Sequence, residues 1–330
     1  MRTKFWMAAA AMLGAADVAW TNDSTAALGA GGIVLTESAD IRMASEDLFV
    51  SREQIRVRYQ FVNEAQTAIT TRVAFPLPVA DMHELADIDV GWPTEKGDNV
   101  VDFRVIVDGR PVTPQLERKA FLKNQDVTAH LVRLGVPLSP RPGEVAAAVQ
   151  KLPATAKSEL VRLKLANVTS DWVEPFWVVK NTYHWPQTFP AGRPLSVEHT
   201  YKPIVGGSFF SALGYFSDPK MLDKYYGDYC IDATTRAGLS ARLKALQKRD
   251  GDNALMMQWV VDYVLTTARN WKGPIGQFRL TLDKGKPDNI ISFCMDGVRK
   301  TGPTTFVVER RNFEPEKDLS VMIFEAPPKN

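Results

Sequence analysis

The chain has 330 residues, 45% of them hydrophobic and 24% charged. That balance excludes a disordered chain and leaves enough apolar material for one large or two ordinary domains. There are 40 Lys and Arg residues against 38 Asp and Glu, a formal net charge of +2, and no basic block, so electrostatics gives no case for binding nucleic acid or an anionic membrane surface.

The first 19 residues have the three parts of a secretory signal peptide: Arg2 and Lys4, an apolar core from Phe5 to Leu13, then small residues. The apolar run is too short to span a bilayer, which takes roughly 20 residues. Cleavage is expected after Ala16 or Ala19. No later stretch is long and uncharged enough to cross a membrane, so the mature chain is expected without a membrane span.

Gly29, Gly31 and Gly32 precede β-branched Ile33 and Val34. This reverses the strand–glycine–helix order of a dinucleotide-binding loop, so the glycines read as a turn entering a strand. In EQIRVRYQFVNE the apolar Ile55, Val57, Tyr59 and Phe61 alternate with Arg56, Arg58 and Gln60, the period-two pattern of a half-buried strand. AITTRVAFPLP reads as its partner, and NVVDFRVIVDGRPV as a strand turning at Asp108-Gly109.

The acidic run between them gathers Asp81, His83, Glu84, Asp87 and Asp89. It lacks the alternate ligand spacing and bend glycine of a calcium loop and reads as a solvated connection. No metal or other cofactor is expected.

From about 115 to 166 the pattern turns helical, with QLERKAFLK, DVTAHLVRLG and PATAKSELVRLKLA broken by LSPRPG. Strands resume in EPFWVVKNTYHWPQTF and PLSVEHTYKPIVGG, which the Pro190-Ala191-Gly192 turn makes into an expected hairpin. ATTRAGLSARLKALQKRD reads as a helix. MQWVVDYVLTT, GQFRLTLDKG, NIISFCMDG, TTFVVERR and LSVMIFE read as closely spaced strands.

The fold expected is therefore mainly β in the α+β class. A β-sandwich over 20–206 carries a helical insertion at about 115–166, and an antiparallel β-rich part follows over 207–330. Cys230 and Cys294 form the one possible pair, and export favours their oxidation to a disulfide. A reactive thiol at Cys294 would need a nearby His or an electropositive setting, which ISFCMDG does not offer.

Candidate sites are few. His184 and His199 fall on the two strands of the expected hairpin, where a shared acid–base or metal site is conceivable. With the turn centred on Pro190 they face opposite sides of the sheet. Trp177, Tyr183 and Trp185 share a strand face and read as core. Trp271 and Lys272 sit between expected strands in NWKGPIG, and a loop tryptophan is the best candidate for an exposed ligand surface. No residues form a recognisable catalytic constellation, and no cofactor-binding or metal-binding residues are assigned.

The passages NDSTAALGAGGIVLTESADIRMASEDLFVS, VAFPLP, FPAGRPLSVEHTYKPIVGG and YVLTTARNWKGPIGQFRLTLDKG, followed by ISFC, resemble a family of exported Gram-negative proteins catalogued as domain of unknown function 4424. The resemblance covers residues 22 to 325. It implies a periplasmic protein with a disulfide at the positions of Cys230 and Cys294, and it implies no activity. The first β region, with FPLP and a strand ending in DGR, also resembles the VIT domain of inter-alpha-trypsin-inhibitor heavy chains. The expected function is non-enzymatic: binding of a periplasmic protein or glycan, or interaction with the cell envelope. The alternative is a hydrolase acting on an envelope polymer through paired carboxylates, which become visible only in space.

Overall fold

The computed structural model describes residues 23–29, 32–86, 91–210, 219–251 and 254–327. The expected signal peptide, Gly31, Asp87 and Asp89 lie outside these residues. The protein is mainly β, and its largest unit is an eight-stranded sheet. The spatial order is Arg299–Lys300, Thr305–Phe313, Ile275–Asp283, Ile41–Val50, Ile55–Asn63, Pro194–Tyr201, Arg104–Val107, Arg110–Val112. Neighbours run antiparallel except Ile41–Val50 and Ile275–Asp283, which pair in parallel and so join an early strand to a late one. The pairing of Ile41–Val50 with Ile55–Asn63 carries a bulge between Met43 and Ser45. A Cβ on Gly276 would lie 2.6 Å from the Ala44 carbonyl oxygen, so only glycine fits the approach.

The alternation along Ile55–Asn63 acts as the sequence requires. Ile55, Val57, Tyr59 and Phe61 are buried, while Arg58 and Gln60 face water. Two smaller sheets cover this apolar face. The first runs Gln125–Asp126, Gln115–Leu122, Val178–Phe189, Ile69–Pro76, Ser24–Gly29, Gly32–Thr36, with Ala80–Asp81 added against Val178–Phe189. The second runs Gly206–Phe210, Met256–Tyr263, Leu319–Glu325, Ile290–Phe293. One continuous core results, with Val73, Phe75, Trp185 and Phe189 from the first cover and Val261, Tyr263, Val321 and Ile323 from the second. The opposite side of the second cover packs Met256, Met322 and Phe324 against Leu239, Leu243 and Leu246 of the helix Ala233–Asp250. That helix starts where the Asp232 carboxylate accepts a hydrogen bond from the Thr235 amide at 2.6 Å.

Cys230 and Cys294 form a disulfide with a Cα–Cα distance of 5.0 Å. It fixes the one-turn helix Gly227–Tyr229 to the end of the edge strand Ile290–Phe293. Across its sequence separation of 64 residues, the chain-entropy model assigns such a link about 4 kcal/mol.

Ile69–Pro76, expected as the partner of Ile55–Asn63, pairs instead with Ser24–Gly29 and Val178–Phe189 in the first cover. Two further local expectations are corrected. Gln115–Leu122, expected as the start of the helical segment, is a strand paired with Val178–His184. Leu116 and Ala120 are four apart, a spacing that suits a helix face and a strand face equally, and the partner strand decides. The helices begin later, at Thr128–Arg133, Pro142–Gln150 and Ala154–Arg162. They pack Leu131, Val145, Val149 and Leu160 around Trp177 and Val179 in a core of their own.

The second correction concerns the expected hairpin. Val178–Phe189 pairs within the first cover and Pro194–Tyr201 within the eight-stranded sheet, so the link around Pro190 crosses between layers. Both strands carry apolar side chains at odd positions, and these faces meet across the core instead of lying side by side.

Candidate functional site

A broad concavity lies on the outer face of the first cover. In Val178–Phe189 the odd positions Val179, Tyr183 and Trp185 turn into the protein, so Val178, Lys180 and Thr182 turn out. Register brings Phe121 beside Val178, Lys119 beside Lys180 and Glu117 beside Thr182, all on that outer face. Leu163 and Lys164, which follow the helix Ala154–Arg162, close one side, with Val161, Ala166 and Phe176.

The groove so formed has a volume of about 960 Å³, which suits a ligand of ordinary size. It continues over Ile33, Leu35 and Leu77 into a shallower depression of about 320 Å³ that shares Val79, Phe121 and Lys180.

The floor is apolar, and four lysines stand along it: Lys119, Lys123, Lys164 and Lys180. The Lys180 ammonium sits 4.6 Å from the centre of the Phe121 ring, a favourable cation–π placement. Two carboxylates border the groove, and both are engaged by backbone amides. Glu117 accepts from Ile33 N at 2.9 Å, and Asp81 from His83 N at 2.9 Å and Glu84 N at 3.2 Å. Four lysines against these two carboxylates leave the lining with a net positive charge, although Lys119 also lies 3.9 Å from Asp126.

The residues singled out from sequence lie elsewhere. Trp271 is buried, stacking 4.5 Å from Phe61 and donating its indole N–H to the Asp23 carbonyl at 2.7 Å. The expectation of an exposed aromatic is corrected: the loop tucks its tryptophan inward because Phe61 and Phe189 leave a ring-sized space there. Lys272 is half-exposed and pairs with Glu64 at 3.0 Å.

His184 and His199 are not brought together. His184 is on the outer face beside Arg72, whose guanidinium lies 2.8 Å from Nδ1, and burial together with this cation lowers its pKa. His199 is sealed inside among Tyr59, Phe75, Phe103 and Trp185, with Nε2 2.9 Å from Asp23 Oδ1. Burial pushes the Asp23 carboxyl above its ordinary range, with His199 pulling the other way. Of the acidic run, Asp81 caps the short helix Met82–Ala86 and His83 lies 3.2 Å from Glu174. Among the described residues no group of three His, Cys, Asp or Glu side chains could hold a metal ion.

Sequence reasoning missed the groove because its residues come from four separated stretches. The one available signal was the even set Val178, Lys180 and Thr182, opposite the buried odd set and only partly polar.

The fold and groove define a multi-sheet β protein with a ligand-sized surface groove. The chain belongs to the family described as Domain of unknown function (DUF4424), whose profile matches residues 21–322. That match takes in the first β region as part of one unit, and the likeness to a VIT domain is not borne out. The curated proteins contain no match. Among solved structures, a Legionella pneumophila protein described as a candidate nutrient binding protein is similar at 16% identity and a TM-score of 0.46, over 92% of this chain and 69% of its own.

Proposed function

We propose that this chain is an exported, non-enzymatic binding protein of the periplasm whose groove holds an elongated amphiphile, an apolar body with an anionic head. The observation that carries the reading is the lysine-bordered apolar floor over Phe121, Val178 and Leu163. A concave, mostly apolar lining of ligand size with a few charged groups along it is the usual form of a small-molecule site. The lysines then select the sign of the head group. Binding is favoured over hydrolysis because Asp81 and Glu117, the carboxylates at the groove, already accept backbone amides. The disulfide and the N-terminal Arg2–Ala19 segment support export.

Titration of the purified chain with dodecanoate, dodecanol and dodecyltrimethylammonium, followed by calorimetry, tests the reading. Dodecanoate is expected to bind most tightly, and Val178→Glu, which places a charge on the floor, to weaken it roughly tenfold or more. Equal affinity for the cationic amphiphile, or no effect of Val178→Glu, would refute it. Fractionation of cells producing the full-length chain tests the compartment; recovery from the cytoplasm with residues 1–19 intact would count against export.

A further inference from the structure

A second concavity, which shares Val79 and Asp81 with the groove but is otherwise lined differently, lies where the two covers and the eight-stranded sheet meet. It has a volume of about 330 Å³. Its apolar wall includes Leu77, Leu85 and Ile204, and its polar lining contains the carboxylates Asp81, Glu84 and Asp262 and the phenols Tyr201 and Tyr229, with no Lys, Arg or His.

Position in the strand explains Asp262. Val261 and Tyr263 are committed to the core, so the intervening side chain turns the other way, into the cavity mouth, where it keeps contact with water. Desolvation by the surrounding protein raises its carboxyl above the ordinary range against a hydrogen bond from Ser320, and Asp228 and Asp318 add to the rise.

Tyr201 supplies a separate observation. It is 3% exposed, and its hydroxyl is sealed from bulk water with no hydrogen-bond partner among the described residues. A buried phenol left in this way is unfavourable by about 1–3 kcal/mol and calls for an explanation. The charged group that acts on it is Asp262, which also acts on Tyr229; burial and this carboxylate together hold both phenols protonated.

We infer that this cavity is a binding site for a small organic ammonium ion, whose N–H groups donate to Asp262 and to the Tyr201 hydroxyl oxygen while its apolar body lies against Leu77, Leu85 and Ile204. The lining has acceptors and no cation, which excludes an anionic ligand. A bare metal ion lacks a set of three ligating side chains here among the described residues. An ammonium group needs only two or three acceptors, which the carboxylate and phenol oxygens of this lining supply.

Isothermal titration of the full chain with 2-phenylethylamine, 2-phenylethanol and 3-phenylpropionate tests the inference. The amine is expected to bind saturably with one site, the alcohol at least roughly tenfold more weakly, and the acid not at all. Asp262→Asn is expected to weaken the amine roughly tenfold or more, and Tyr201→Phe roughly threefold. Both variants keep shape and volume, and Tyr201→Phe removes a hydroxyl that bonds to nothing, so its thermal midpoint is expected to be unchanged or higher. Absence of amine binding, equal affinity for the alcohol, or amine binding untouched by Asp262→Asn would overturn the inference.

Discussion

The two covers of the eight-stranded sheet do the same work by different means. The first presents large rings, Phe75, Trp185 and Phe189, and is locked to the main sheet around the buried His199–Asp23 pair and Trp271. The second has four strands and meets the main sheet through Val261, Val321 and Ile323, with Tyr263 its largest fully buried inward residue and Trp259 partly buried at the margin. Tyr263 bonds the Tyr59 hydroxyl at 3.0 Å, and at one margin Arg52 stacks 4.2 Å over Trp259 and pairs with Glu325. Its outer side then carries the disulfide. The first cover is held by aromatic volume and a buried pair, whereas the second is stiffened by a covalent link within its own outer layer, which ties the helix Gly227–Tyr229 to the edge strand Ile290–Phe293.

That contrast can be broken from either side. The largest effect is expected at Trp271, because truncation removes a ring from between Phe61 and Phe189 and leaves the Asp23 carbonyl without its indole donor. Trp271→Ala should lower stability by about 4 kcal/mol in urea unfolding. The loss should be the same with or without reductant. Cys230→Ser combined with Cys294→Ser should cost about 3 kcal/mol, less than the chain-entropy figure because a reduced, unfolded chain keeps some structure. Wild-type protein treated with dithiothreitol should then match the double variant. If reductant leaves the wild type unchanged, the second cover is held by its packing and the contrast between the covers fails.

The same contrast governs what could be read from sequence. The strand Ile55–Asn63 was legible because its face is half wet, and period two survives only when one side must stay polar. The disulfide was legible because the chain has a single pair of cysteines, which leaves no choice of partner once oxidation is expected. Gln115–Leu122 was not, since Leu116 and Ala120 satisfy helix and strand spacing alike and the pairing strand lies some sixty residues away. Trp271 was misread because loops usually lie at the surface, whereas here the buried rings of Phe61 and Phe189 define its place. The groove and the ammonium cavity were invisible for a further reason. Each is assembled from stretches distant in sequence, and the orphaned hydroxyl of Tyr201 has no counterpart in any local pattern.

The smallest effect expected is one of slope, and it sharpens how the first cover is locked. Asp23 is fully buried, and burial raises its carboxyl pKa more than His199 lowers it. A carboxyl whose folded pKa lies above its unfolded value contributes stability that is fully present below the unfolded value, about 3.9, and is lost as pH rises through the folded one. Asp23→Asn keeps the shape and an acceptor for His199 Nε2 but removes the titration. Measured by urea unfolding from pH 4 to pH 7, the variant should therefore gain on the wild type as pH rises. The lock would then be one of shape and hydrogen bonding, in which the charge itself opposes folding, as buried ion pairs often do. A difference that stays constant, or that turns against the variant toward pH 7, would mean that the charged pair itself holds this cover in place.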